Sequence, residues 1–146
     1  MAREHAIRWR WLRAMYLYTA VVAGGMGLAM ILAPARVQSL SGMPAQDPVV
    51  FGLNGSLFLA FGLVAIAGLR APLKYCPLLL MELVYKTIWF AGVVAPLLLR
   101  GEFPESAAVQ AVIFATFVAG NLVAIPFRYL LAGDVQFQKP ASAGTA

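Results

Sequence analysis

Glu82 and Lys86 stand four residues apart in the apolar run PLLLMELVYKTIWFAGVVAPLLL. Residues at i and i+4 share one face of a helix, and Glu ahead of Lys is the better order for an ion pair along the axis. A charged side chain at the centre of an apolar span costs about 2.5–3.5 kcal/mol on insertion scales, so each such group is a functional candidate that needs a partner. Tyr85 flanks the pair, and Trp89 continues its face one turn on. The lysine stem leans toward the helix N-terminus, and therefore toward Glu82. Asn121, in a later apolar run, falls near the depth of Glu82, where its amide can hydrogen-bond to the pair. Arg128 falls on the same helical face as Asn121, through positions 121, 125 and 128. Asn54, early in another apolar run, is expected at a separate spot nearer the opposite end. Two uses of Glu82, Tyr85, Lys86, Trp89, Asn121 and Asn54 follow. Either the charged pair neutralises itself and pins one helix to another, or the cluster binds a polar head or relays a proton. A relay usually needs a chain of titratable groups. Here one paired carboxylate stands without a buried histidine, which favours binding over pumping.

The elements that must carry these residues are apolar helices. Of the 146 residues 62% are hydrophobic and 12% are charged, where soluble domains hold about 45–50% and about 25%. A helix needs about 20 apolar residues to cross a bilayer core, and four runs qualify: Ala14–Leu32, Val49–Leu69, Pro77–Leu99 and Ser106–Tyr129. Each connection is short and contains proline, which breaks helices and supplies turns. Short connections make successive helices antiparallel. The predicted fold is all-α: a membrane-embedded, up-down-up-down four-helix bundle over 14–131. A basic segment, 1–13, precedes it, and a small, polar and disordered tail, 132–146, follows.

Orientation follows from lysine and arginine. Arg3, Arg8, Arg10, Arg13, Arg70, Lys74, Arg128 and Lys139 fall on one side of the predicted bundle, and Arg36 and Arg100 on the other. The positive-inside rule places the first group in the cytoplasm, and with it both termini. Arg13, Lys74 and Arg128 are the interface anchors, accompanied by Trp9, Trp11, Tyr16, Tyr75 and Tyr129, whose amphipathic rings suit the headgroup level. The net charge of +5 thus reads as orientation, and no basic stripe with interleaved aromatics points to nucleic acid. Span one is too long for the usual 7–15-residue core of a cleaved signal, so it is expected to be retained.

Small residues recur at four-residue spacing: Ala20 with Gly24 and Ala23 with Gly27 in span one, Gly52, Ser56 and Ala60 in span two, and Ala111, Ala115 and Ala119 in span four. Such rows let helices approach closely in lipid. One cysteine, Cys76, and one histidine, His5, exclude an internal disulfide, a bis-histidine haem and a zinc site of the usual ligand count. No phosphate-binding loop, HExxH, CxxC or GxSxG motif occurs, so no catalytic residue and no metal ligand is assigned.

The segments LRAPLKYCPLLLMELVYKTIWF and NLVAIPFRYLL resemble a group of small bacterial inner-membrane proteins akin to the broad DoxX-like collection. The likeness rests on the Pro-Leu-Lys opening of span three, on Glu82 with Tyr85 and Lys86, and on the Ile-Pro-Phe-Arg-Tyr exit of span four. The resemblance implies a four-helix bundle in the bacterial inner membrane. Some DoxX-like members are linked to quinone-reducing sulfur oxidation as membrane subunits, but no quinone site carries over residue by residue.

The leading expectation is a non-enzymatic protein that binds another membrane protein, a second copy of itself or a lipid-like molecule such as a quinone, with the polar cluster as recognition point. No resident cofactor is required. A small transporter or channel component using the same cluster is the alternative, followed by a membrane subunit of a quinone-linked redox enzyme.

Overall fold

The computed structural model describes residues 7–131. The predicted tail 132–146, together with Arg3, His5 and Lys139, lies outside them. Every regular element among the described residues is helical: α1 (Trp9–Leu32), α2 (Pro34–Leu40), α3 (Pro48–Arg70), α4 (Cys76–Arg100), α5 (Glu105–Ala124) and α6 (Phe127–Leu131). Helices α1, α3, α4 and α5 correspond to the four apolar runs, and each is long and apolar enough to cross a membrane.

Local sequence explains the boundaries. Asp47 caps α3 by accepting from the backbone N–H groups of Val49 and Val50, at 3.0 and 2.9 Å. Pro48 follows at the first helical position, where its missing N–H costs nothing. Gly101 ends α4 in the left-handed conformation, φ 69°, which a residue without Cβ adopts freely. Within α4, Pro96 cannot donate to the carbonyl four residues back, and the preceding turn Phe90–Val94 widens to the π form.

Two boundaries differ from expectation. Helix α1 begins at Trp9 rather than Ala14: Leu12 is buried while Arg10 and Arg13 stay exposed, so the stretch 9–13 of the basic segment is itself an amphipathic first turn. Helix α5 stops at Ala124 rather than running to Tyr129. Pro126 disfavours the helical conformation in its predecessor, and Ile125 is extended at ψ 124°. Arg128 therefore sits on α6, and the helical face through 121, 125 and 128 does not form.

Packing is closest between α1 and α3. A Cβ on Gly27 would run into the backbone of Leu59 and Gly55, and one on Gly62 would run into Gly24. The predicted rows on α1 are thus used, but on α3 another face is used. Gly52 has open space beside it, Ser56 and Ala60 are exposed, and the Ser56 hydroxyl donates to its own helix at the Gly52 carbonyl, 2.9 Å. On α5 the predicted row likewise faces outward at Ala115. That helix packs instead through Phe117, Asn121 and Ala124, and Gly120 makes room for the Met15 thioether. Partners rise in number along one helix as they fall along the other, as in Gly27 with Gly55, Gly24 with Gly62 and Tyr16 with Gly68.

The core lies toward the end that holds the N-terminal turns of α1. Leu12, Tyr16, Cys76, Leu79 and Phe117 are buried there with Ala124 and Ile125. The Tyr16 hydroxyl donates to the Pro72 carbonyl at 2.6 Å and so ties α1 to the α3–α4 connection. Helices α3 and α4 touch only sparsely, and aromatic side chains such as Phe61 and Tyr85 meet between them.

Candidate functional site

Helices α1, α4 and α5 bring four buried polar side chains together: Thr19, Glu82, Lys86 and Asn121. Lys86 Nζ lies 3.4 Å from Glu82 Oε1, one turn back on the same helix, and neither side chain is more than 1% exposed. The opposite carboxylate oxygen, Oε2, accepts a hydrogen bond from the Thr19 hydroxyl at 3.0 Å. The pair therefore ties α4 to α1. Thr19 opens a π turn, Thr19–Ala23, and such turns often accompany functional sites in helices.

The ammonium group is also enclosed by rings. Lys86 Nζ stands 4.1 Å from the ring centroid of Phe117, 4.4 Å from that of Tyr85 and 5.2 Å from that of Phe114. Such faces attract a desolvated cation with about 2 kcal/mol or more. The cluster is still incompletely satisfied. Glu82 Oε1, Lys86 Nζ and both polar atoms of the Asn121 side chain make no hydrogen bond among the described residues. Asn121 adjoins the Glu82 carboxylate without reaching hydrogen-bonding geometry. The hydrogen bond expected from Asn121 to the charged pair is thus replaced by proximity alone. A gap of about 20 Å³ borders Lys86 between Ala23, Phe114 and Phe117, room for about one water molecule.

The remaining candidates occupy a different place. Asn54, Tyr85 and Trp89 line one cavity of about 370 Å³, with Gln110 and Phe114 opposite. Val37 and Ser41 of the α2 region, and Met43 and Gln46 of the loop that follows, line it as well. Asn54 shares this space with Tyr85 and Trp89, apart from Glu82, Lys86 and Asn121. Tyr85 joins the two features. One face of its ring stacks on Phe61 with centroids 5.7 Å apart, its edge meets Phe114, and Lys86 follows it in the chain. Trp89 meets Phe114 at 5.1 Å, and Phe58 completes the ring cluster.

Sequence reasoning missed Thr19 and Gln110. Both are uncharged hydrogen-bonding side chains in apolar helices, without the charge that made Glu82 and Lys86 conspicuous. The signal available was their polarity alone, since Thr19 is the one aliphatic hydroxyl that α1 buries among its apolar neighbours. The interface anchors Arg13 and Lys74 are exposed, with the Lys74 ammonium 5.9 Å from the Tyr75 ring.

The arrangement can do two things chemically. The charged pair ties α4 to α1 through Thr19, and the cavity beside it offers rings and amides to a guest. Compared with family models, curated proteins and solved structures, the chain matches none, so the meaning of the site rests on its own geometry.

Proposed function

We propose that the chain is a multi-pass protein of the bacterial inner membrane that acts by binding a lipid-soluble molecule, with no chemistry of its own. The four long apolar helices support membrane embedding, and the opposed order of the α1–α3 contacts supports the first, antiparallel step of an up-down-up-down arrangement. The lysine and arginine asymmetry supports cytoplasmic termini. The cavity then opens toward the extracytoplasmic leaflet. A likeness to DoxX-like proteins agrees with this architecture and adds nothing to the ligand.

One observation carries the reading: a cavity of about 370 Å³ is lined by Tyr85, the chain neighbour of a buried ion pair whose hydrogen-bonding capacity is not met. Ligand sites commonly measure about 300–1,000 Å³ and combine apolar walls with a few polar groups. The buried core at the opposite end, with Leu12, Cys76 and Leu79 fully enclosed, favours a closed binding site over a conduit.

The test is solvent extraction of the purified protein, followed by mass spectrometry, for the natural chain and for Leu57→Trp. Leu57 lines the cavity and is 45% exposed, so a larger ring there fills the space without disturbing the core. The expected result is a molecule that copurifies with the natural chain and is depleted in the variant, at unchanged elution volume. Equal recovery from both chains, or none beyond bulk lipid from either, refutes the proposal.

A further inference from the structure

The cavity's own chemistry narrows its guest, on the reading that it is a ligand site. Asn54, Gln110, Tyr85 and Trp89 all line it, and the side-chain amides, the phenol and the indole N–H have no hydrogen-bond partner among the described residues. These groups supply both donors and acceptors. Among the described residues no charged side chain lines the space. Lys86, which follows Tyr85 in the chain, is already paired with Glu82 and enclosed by three rings, so it offers no free counter-charge. A guest with a full charge would lose its hydration here without gaining a counter-charge. The walls are flat. Trp89 and Phe58 each meet Phe114 edge to face, which leaves ring faces and edges for another ring. Methionines at 26, 30 and 43 add polarisable, adaptable packing against such a ring.

We infer that the cavity takes an uncharged, ring-bearing molecule whose polar substituents hydrogen-bond with Asn54 and Gln110 while its ring packs against Trp89. Neither amide alone would define such a site; their convergence with the indole and the phenol on one apolar cavity does.

Trp89 allows a direct test. The chain has three tryptophans, and the other two, Trp9 and Trp11, are exposed at the N-terminal end of α1. The variant Trp9→Phe/Trp11→Phe leaves Trp89 as sole emitter. In lipid nanodiscs it is titrated with four bromophenyl quenchers of nearly one size: 4-bromobenzamide, 4-bromotoluene, 4-bromobenzoate and 4-bromophenyl-trimethylammonium. Bromobenzamide should quench saturably and bind about tenfold more tightly than each of the others, the factor expected from about one net hydrogen bond. In the same background, Asn54→Leu/Gln110→Leu should abolish that preference and leave the emission maximum of Trp89 in place. If the anion or the cation binds as well as the benzamide, the inference of an uncharged guest fails while the binding reading stands. If bromotoluene matches the benzamide, the role of the amides fails. If no probe quenches saturably, the cavity is not a ligand site and the proposed function falls with it. The comparison of the four probes needs only the two surface substitutions, so it holds even if the double leucine variant does not fold.

Discussion

Removing the lysine of the buried pair should cost the fold more than neutralising the glutamate, and removing both charges should cost less than removing the lysine alone. In Lys86→Met the carboxylate of Glu82 remains fully enclosed, with one hydrogen bond from Thr19 at 3.0 Å. Leaving one partner of a buried pair behind costs about 3–5 kcal/mol. In Glu82→Gln the ammonium remains, but three ring faces within 5.2 Å still attract it, which offsets about 2 kcal/mol of that penalty and leaves roughly 1–3. The glutamine carbonyl also keeps an acceptor for Thr19. In the double variant no charge is buried, the introduced thioether packs among the rings, and the remaining amide has Thr19 and Asn121 beside it, so the cost falls to about 1–2 kcal/mol. Independent effects would sum to about 4–8 kcal/mol, and contacting residues are where additivity fails. The assay is reversible unfolding in mixed micelles, titrated with denaturing detergent and followed by circular dichroism, for all four corners of the cycle. A double variant that costs the sum of the singles refutes the ion pair as a structural tie. A glutamine variant less stable than the methionine variant refutes the contribution assigned to the rings.

Three further outcomes follow from the packing. Thr19→Val keeps the shape but removes the donor to Glu82 Oε2; it should cost about 1.5–3 kcal/mol in the same unfolding assay, the range for a hydrogen bond to a charged group, and should cost far less in a Glu82→Gln background. Gly27→Ala puts a Cβ into the backbone of α3, whereas Gly52→Ala meets nothing; the first should lower stability by about 1–3 kcal/mol and the second should leave it unchanged within about 0.5 kcal/mol. Cys76 is fully buried beside Leu79, so a thiol reagent should label it only after unfolding, and rapid labelling of the folded protein in membranes would contradict the sealed end.

Period and charge made part of this legible from sequence, and shape decided the rest. Four helices follow from hydropathy, and Glu82 with Lys86 follows from a four-residue spacing that any helix converts into a shared face. The helical stop at Ala124 was readable too, since Pro126 constrains the residue before it, but the continuous apolar run past it concealed the break. The choice among small-residue rows was not readable. Gly52, Ser56 and Ala60 share a face of α3, and Gly55 and Gly62 share another; the second is used because Gly24 and Gly27 on α1 lie opposite it, which is a property of two helices together. Asn54 and Gln110 illustrate the same limit. They stand on different helices, α3 and α5, and only the packing of the bundle brings both to one cavity with Tyr85 and Trp89.

The structural tie and the cavity are linked through a single backbone step, from Tyr85 to Lys86. Lysine turns inward to Glu82 and draws α4 against α1. The next side chain round the helix, Tyr85, is thereby held with one ring face on Phe61 and its edge on Phe114. A pinning role for the ion pair is therefore not a competitor of a binding role for the cavity. An interior pair of charges with an incompletely met set of hydrogen bonds is a poor way to gain stability alone, since apolar replacements often do as well. It does fix the rotation of α4 about its axis, because a helix turned by one residue would break the contact to Thr19. That rotation decides whether Tyr85 and Trp89 face the cavity or the surroundings. A paired variant such as Glu82→Leu/Lys86→Met should then keep its stability and yet widen the distribution of Trp89 environments, seen as multiple fluorescence lifetimes. A single, unchanged lifetime would separate the tie from the cavity and leave the charges with a stabilising role only.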